Sequence, residues 1–187
     1  MGLDLNYTSG QTPLDEDEKE GLLIPTLATR GELDEFEQQN IEEALFWILG
    51  KSLKAERVFS EELVRTLHKK MYGDIWKWAG KFRKSNKNLG VDKWQSPTEL
   101  KNLCDDAKFW FSHKTFTPDE LAIRFKHRIV SIHCFPNGNG RHSRLMAAII
   151  ISKIYKPPMF TWGSGNLVSA GDVRSRYLAA VRAADLG

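Results

Sequence analysis

The sequence predicts an all-α domain that carries one short β-hairpin at most. Apolar residues recur every three or four positions through nearly every segment from Glu32 onward, which is the spacing of one helix face. Helix-start chemistry, a Ser or Thr followed by Pro or acids, precedes several of these segments. Residues 81–91 break the pattern with asparagines and a glycine, so this segment is the candidate hairpin.

The first long helix is predicted to begin at Glu32 and to end at Gly50, since acids suit a helix start and glycine a helix end. Its apolar stripe comprises Leu33, Phe36, Ile41, Ala44, Leu45 and Ile48. The next helix is predicted to follow Ser60 as its N-cap. The apolar stripe of that helix comprises Leu63, Leu67 and Met71.

Two further helices are predicted from their start signals. Ser96 is expected to cap one of them, with Pro97 at the first helical position and Glu99 completing a capping box. Thr117 is expected to open the other helix, which runs to His133. Beyond residue 144 the pattern predicts another helix up to Lys156-Pro157-Pro158 and a last one from Asp172 to Ala184.

We divide the chain into an N-terminal arm, residues 1–31, and a main domain, residues 32–187. The arm is polar, with an acidic run at 15–20 followed by an apolar stretch at 21–25. One interpretation is a frayed arm whose apolar part docks on the core. The other interpretation is a regulatory arm.

Composition limits the classes of partner. With 187 residues the chain is long enough for one domain with a full core, and its net charge of +3 is mildly basic. Acids and bases alternate without a Lys/Arg block, which argues against nucleic acid. Cys104 and Cys134 offer no disulfide framework, which favours a reducing cytoplasm. We expect no signal peptide and no membrane association, because the longest apolar run, at 146–151, is too short to span a bilayer.

Residues 133–144 form the most informative stretch. Pro136 cannot continue a helix, and the two Asn-Gly pairs that follow it tolerate positive φ. The pattern therefore predicts a tight loop that opens a helix. Backbone N–H groups and the helix dipole favour a phosphate at such a start.

Charged and proton-accepting side chains flank this predicted phosphate site. Arg141 and Arg144 lie three residues apart, so they share a helix face and can both donate to phosphate oxygens. His133 is the nearby group able to accept a proton at neutral pH. The combination predicts phosphoryl or nucleotidyl transfer.

This stretch resembles the signature of the Fic (Fido) family, His-x-Phe-x-(Asp/Glu)-(Gly/Ala)-Asn-(Gly/Lys)-Arg-x-x-Arg. The matching residues are His133, Phe135, Gly138, Asn139, Gly140, Arg141 and Arg144. Asn137 differs, because the family has an acid at that position. The resemblance covers about residues 32–185 and implies a Fic-type helical bundle. The sequence segments 29–33 and 135–142 also resemble those of the Fic subgroup named "mobile mystery protein B".

The resemblance implies a flap as well, a β-hairpin beside the active site that aligns the target protein. In the family the flap pairs in part with the backbone of an extended target segment. It would correspond here to residues 84–91, which follow an aromatic segment at 76–83. The target-binding residues implied are Asn86, Lys87, Asn88, Leu89, Gly90 and Val91. The alternative interpretation is a solvated basic loop.

The mechanism implied by the resemblance is transfer of AMP from ATP to a target protein. The β- and γ-phosphates would lie on Gly138, Asn139 and Gly140, clamped by Arg141 and Arg144, with Mg²⁺ bridging them. His133 would take the proton of a Tyr, Ser or Thr hydroxyl of the target, whose oxygen attacks the α-phosphorus. Such transfer depends on positioning and charge neutralisation.

Two positions of the signature bear on activity. Asn137 would be the magnesium ligand, but its amide offers a neutral oxygen to a hard cation that prefers charged oxygen. The enzyme is then active but weaker, or uses another nucleotide or metal, or binds nucleotide without turnover. Gly140 stands where the Doc branch, which transfers the γ-phosphate, has Lys, and therefore favours nucleotidyl transfer.

Many Fic proteins carry an inhibitory helix with the motif (Ser/Thr)-x-x-x-Glu-(Gly/Asn). No clean instance is present: Glu20-Gly21 has the right ending, but Glu16 stands where Ser or Thr belongs. The inhibitor is either a degenerate segment at 16–21 or a separate antitoxin-like chain.

The remaining histidines, His68, His113, His127 and His142, show no metal-site spacing and are expected to be partly exposed helix residues. Cys134 is expected to be a small, partly buried thiol rather than a nucleophile, because adjacent residues on a helix do not face each other. Three classes of function remain. They are a protein nucleotidyltransferase, which we favour, an inactive nucleotide-binding or interaction module, and a helical nucleic-acid binder.

Overall fold

The computed structural model describes residues 12–155, and helices make up their regular structure. The helices are α1 (Glu16–Lys19), α2 (Arg30–Leu49), α3 (Ala55–Val58), α4 (Glu61–Tyr72), α5 (Ser96–Ser112), α6 (Pro118–Ile132) and α7 (Asn139–Ile149), and α7 continues as a π-helical turn, Ile150–Tyr155. The all-α prediction is therefore confirmed. The helix predicted at 172–184 lies outside the described residues.

Most helix starts follow the predicted chemistry. The Ser60 side chain accepts a bond from the Leu63 N–H, and Thr117 likewise caps α6. The prediction for Ser96 is wrong. Gln95 already has helical dihedrals, with its N–H bonded to the Asp92 carbonyl, so the chain enters α5 through a turn and Ser96 lacks the extended backbone that a cap needs.

The core is built around α4, which packs against α2, α5 and α7, while α6 lies between α5 and α7. Fully buried side chains from these helices fill it, among them Leu63, Leu67, Met71, Leu100, Leu121, Phe125 and Met146. The stripe predicted on α2 is wrong at Phe36, which is 42% exposed. The buried face of α2 instead includes Glu37 and Asn40, and Glu37 has partners in the site described below.

No strand is present between residues 12 and 155, where an isolated antiparallel bridge joins Leu22 to Trp76. The β-hairpin predicted for residues 84–91 is therefore absent as paired strands. The physical reason is Arg83, whose guanidinium donates to the Ser85 and Val91 carbonyls and so takes the place of cross-strand N–H donors. No helix in the described part is long and apolar enough to cross a membrane.

Candidate active site

His133 lies at the C-terminal end of α6, where the helix stops. Its backbone is left-handed, with φ 56° and ψ 59°, which is uncommon for a residue with a side chain. The residue is only 5% exposed. Gly90 packs against it so closely that a Cβ at position 90 would lie 2.6 Å from the His133 Cβ, so a glycine is required there. The Cβ of His133 is thus packed against the loop at 83–91.

The signature loop, residues 133–144, closes on itself through Asn139. The Asn139 amide donates to the Phe135 carbonyl at 2.8 Å and accepts the Phe135 N–H at 3.0 Å. Gly138 has φ 77°, and a Cβ there would lie 2.5 Å from Cζ of Tyr72. The Asn139 side chain is therefore used to hold the loop. Only the backbone N–H of Asn139 is therefore available for the predicted contact with phosphate.

His68 supports this loop from α4. Its ring stacks on Phe135 at 3.8 Å between centroids, Nε2 donates to the Asn137 carbonyl at 3.0 Å, and Nδ1 accepts the Gly80 N–H at 3.0 Å. Burial, with His142 nearby, holds the pKa of His68 well below its usual range, so the ring is neutral. The expectation that His68 and His142 are partly exposed is wrong, since both are buried. In the sequence His68 follows Leu67 directly and precedes Met71 by three positions. This spacing is compatible with either the buried or the exposed face of the helix, so it did not reveal that His68 is buried.

The start of α7 faces the same space. The N–H groups of residues 139–141 have no intrahelical acceptor, as in any first helical turn, so they can bind an anion. Arg141 donates to a buried Glu37 carboxylate oxygen at 2.5 Å and lies over the Tyr72 ring at 5.2 Å. Arg144 is half-buried on the same helix face, near Gly140. Two guanidinium groups and a helix start are thus brought together, as the sequence predicted.

Glu37 and Arg83 are site residues that the sequence did not single out. Glu37 also accepts the Trp76 indole N–H at 2.9 Å, so it fixes Arg141 and the aromatic segment together. The Arg83 guanidinium donates to the His133 carbonyl at 2.7 Å, where the C-terminal end of α6 favours a cation. Glu37 stands in the middle of an acid-rich helix, and nothing in that pattern marks it as the buried acid.

The described part of the N-terminal arm covers the site. The Thr12 hydroxyl lies 3.1 Å from His133 Nε2, and the Thr12 carbonyl accepts the Asn137 side-chain N–H at 2.9 Å. Lys87, whose side chain is only 3% exposed, pairs with Asp15 and Glu18 of the arm. Of the predicted flap residues, Lys87 therefore contacts the arm and Gly90 contacts His133, while Asn86 and Val91 accept hydrogen bonds from Arg83. Leu89 is exposed.

Burial controls the proton affinity of His133. Burial, with the nearby Arg83 charge, lowers the pKa of His133 from 6.5 to about 4, so the imidazole is neutral at pH 7. Its Nδ1 makes no hydrogen bond of ordinary geometry, although the Val130 backbone lies near enough to favour the protonated ring slightly. A neutral imidazole with Nε2 facing a hydroxyl can accept a proton from it. By contrast, burial raises the pKa of Cys134 to about 12, which agrees with the prediction that this thiol is not a nucleophile.

The side chains present do not form a resident magnesium site. Between residues 12 and 155 no group of three or more His, Cys, Asp or Glu side chains is placed to hold a metal. The predicted ligand, Asn137, uses its Oδ1 to accept the Gly138 N–H at 2.6 Å and its Nδ2 to bond Thr12. A neutral oxygen that is already hydrogen-bonded is a poor ligand for a hard cation.

The chain belongs to the Fic/DOC family, whose model matches residues 58–151. It is 31% identical over 84 residues to a "Protein adenylyltransferase Fic" from Aedes aegypti, which covers 43% of this chain and 17% of that protein. It is 27% identical over 112 residues to "Protein adenylyltransferase fic-1" from Caenorhabditis elegans, covering 58% of this chain and 20% of that one. The matches thus span about a fifth of these relatives.

A solved structure of C. elegans Fic-1 shares the fold. It superposes with a TM-score of 0.69 over 90% of this chain and 48% of its own length, at 24% sequence identity. This likeness confirms the Fic-type helical fold that the signature implied.

Proposed function

We propose that this chain is a protein adenylyltransferase that transfers AMP from ATP to a hydroxyl group of a target protein. Two relatives that carry the name protein adenylyltransferase support the activity. The observation that carries the proposal is the Thr12 hydroxyl, 3.1 Å from His133 Nε2. A hydroxyl therefore already stands where the acceptor of the reaction has to stand.

In this proposal His133 is the base that takes the proton of the acceptor hydroxyl at Nε2. Backbone N–H groups at the start of α7, from Asn139 to Arg141, bind the phosphates of ATP, which enters as its magnesium complex. The Gly138 N–H, which the signature also implied as a phosphate donor, is bonded to Asn137 Oδ1 instead. Arg141 and Arg144 neutralise the charge of the leaving pyrophosphate. Before it binds phosphate, Arg141 exchanges its contact with Glu37 for the nucleotide. The predicted flap residues, Asn86 to Val91, border the entry of the target.

The proposal is tested with ATP labelled at the α-phosphate, magnesium ions and a bacterial lysate. We expect label on protein with the unaltered chain and none with His133→Ala, because His133 Nε2 is the base that the hydroxyl contacts. His113→Ala is the matched control, since that histidine is exposed and stacks on Phe109 away from the site. Equal labelling by His133→Ala would contradict the assigned base.

A second candidate is a nucleotide-binding module without turnover. The observation that favours it is Asn137, whose amide replaces the expected acid and is hydrogen-bonded at both atoms, Oδ1 to Gly138 and Nδ2 to Thr12. Calorimetry with ATP separates the two candidates. Nucleotide binding without label on any protein would support the module.

Three finer points belong to the same proposal. The likeness of the signature to the "mobile mystery protein B" subgroup and a separate antitoxin-like partner that restrains a toxin-like activity follow from the resemblance alone, and a cytoplasmic location follows from the lack of a disulfide framework in the sequence. A pull-down from the native host that recovers one small, stoichiometric partner, whose addition stops labelling, would support the last of these.

A further inference from the structure

We propose that Thr12 is an internal acceptor: the docked arm presents its own hydroxyl to His133, and the chain adenylylates itself there. The inference rests on the proposed transferase function and names a substrate of that same site. Its first support is the placement of Thr12, which is 8% exposed and lies 121 residues from His133 in sequence. A contact so distant in sequence reflects docking of the arm rather than local chain geometry.

Thr12 is held at its backbone as well as at its side chain. The Asn137 Nδ2–H donates to the Thr12 carbonyl at 2.9 Å, while the hydroxyl faces His133. Donation to a carbonyl requires an amide at position 137. A carboxylate has no hydrogen to donate and would repel the carbonyl oxygen. The departure from the family signature therefore matches the bond that orients the internal hydroxyl.

Charged groups fix the next turn of the arm. Lys87 donates to the Pro13 carbonyl at 3.3 Å and pairs with Asp15 at 3.0 Å and Glu18 at 2.5 Å. Because the Lys87 ammonium is almost fully buried, loss of its partners would leave an uncompensated charge. Ser85 also donates to the Asp15 carboxylate. The loop predicted to hold a target protein thus holds the arm.

Backbone bonds fix the arm at its other end. The Leu23 N–H donates to the Ile75 carbonyl at 2.8 Å, and the Lys77 N–H donates to the Gly21 carbonyl at 2.9 Å. This is pairing of an extended segment with the chain beside the site, the mode by which many domains bind peptides. The pairing occurs at residues 75–77 rather than at the predicted flap. The arm is therefore bound as a peptide substrate would be, along its length.

The chemical step balances with ATP as the co-reactant. The Thr12 Oγ1 attacks the α-phosphorus, so that an O–P bond forms and the bond from that phosphorus to the β-phosphate oxygen breaks. The hydroxyl proton goes to His133 Nε2, and pyrophosphate leaves with the bonding electrons. The product is AMP esterified to Thr12. Because Oγ1 then carries an AMP group at a residue that is only 8% exposed, the arm no longer fits its bound position.

The test incubates the purified full chain alone with ATP and magnesium ions, then measures intact mass and maps the modified peptide. We expect one AMP group per chain at residue 12, and none at that peptide in Thr12→Val, which keeps the shape of the side chain. Thr12→Ser, which restores a hydroxyl, should restore the modification. Thr26→Val is the matched control, because Thr26 is an exposed threonine of the same arm. Asn137→Asp should lower self-modification several-fold relative to the labelling of lysate proteins, because an acid that helps to bind magnesium serves both reactions, whereas only the Thr12 carbonyl loses its donor.

The same samples, mixed with a lysate, separate the two ideas. Label on lysate proteins with none on the chain would overturn the internal acceptor while the transferase function stands. Self-label that maps outside residue 12, or that persists unchanged in Thr12→Val, would overturn it too. Absence of label from both chain and lysate would overturn the transferase function and the inference with it. Thermal unfolding of each variant confirms that the compared proteins are folded.

Discussion

The site has two sides, and each is stabilised by a different kind of interaction. The signature loop, residues 133–144, is closed by uncharged hydrogen bonds from Asn139 and His68, which lie in the buried core. The arm and the loop at 83–91 meet instead through charged pairs between Lys87 and the acids of the arm. The difference teaches that the loop carrying His133 is a fixed part of the fold, whereas the arm that covers it is bound by charged interactions that salt and pH can weaken.

The largest expected effect breaks the fixed side. Asn139→Ala leaves a buried N–H and a buried C=O of Phe135 without partners, which should cost about 2–5 kcal/mol in the free energy of unfolding. Urea denaturation measures it. Asn102→Ala is the matched control, since Asn102 is an exposed asparagine of α5, and it should cost little. An Asn139→Ala variant as stable as the parent chain would show that the loop is not held this way.

The fixed side should also respond to acid. Burial lowers the pKa of His142 from 6.5 to about 4 and that of His68 well below 6.5. Because the unfolded chain binds protons at higher pH than the folded chain, the stability is complete above about pH 6.5 and is lost as pH falls toward 4. Each histidine contributes a slope of at most about 1.4 kcal/mol per pH unit.

The free energy of unfolding, measured by urea denaturation at several pH values between 7.5 and 4, gives this slope. His142→Gln, which can still donate to the Val64 carbonyl but does not titrate, should flatten it. An unchanged slope in that variant would argue against titration of His142.

The smallest effect concerns the covering side. Lys87→Ala removes the buried cation that holds Asp15 and Glu18, and should raise hydrogen exchange of the amides in residues 12–24 by about tenfold without changing the stability of the core. Lys101→Ala is the matched control, because its pair with Asp105 at 2.8 Å is exposed. Equal exchange in the two variants would mean that the ion pairs do not hold the arm.

Sequence reasoning predicted the helical class, the helix starts at Ser60 and Thr117, and the loop that opens α7. It misplaced the cap at Ser96, placed Phe36 on the buried face of α2, and expected a hairpin where Arg83 holds a loop. The successes share a cause: caps and the residues of one loop are linked by local backbone geometry. Each error depends on a neighbour that is distant in the chain or on the exact path into a helix.

The sequence by itself predicted the signature loop, because proline ends a helix there and glycine and asparagine tolerate the positive φ that a tight loop needs. Only the tertiary structure decided that Glu37 pairs with Arg141, that His68 supports Asn137, and that Thr12 reaches His133. These contacts join residues far apart in the chain, and no spacing rule relates such residues. Packing of the helices and docking of the arm bring them within bonding distance.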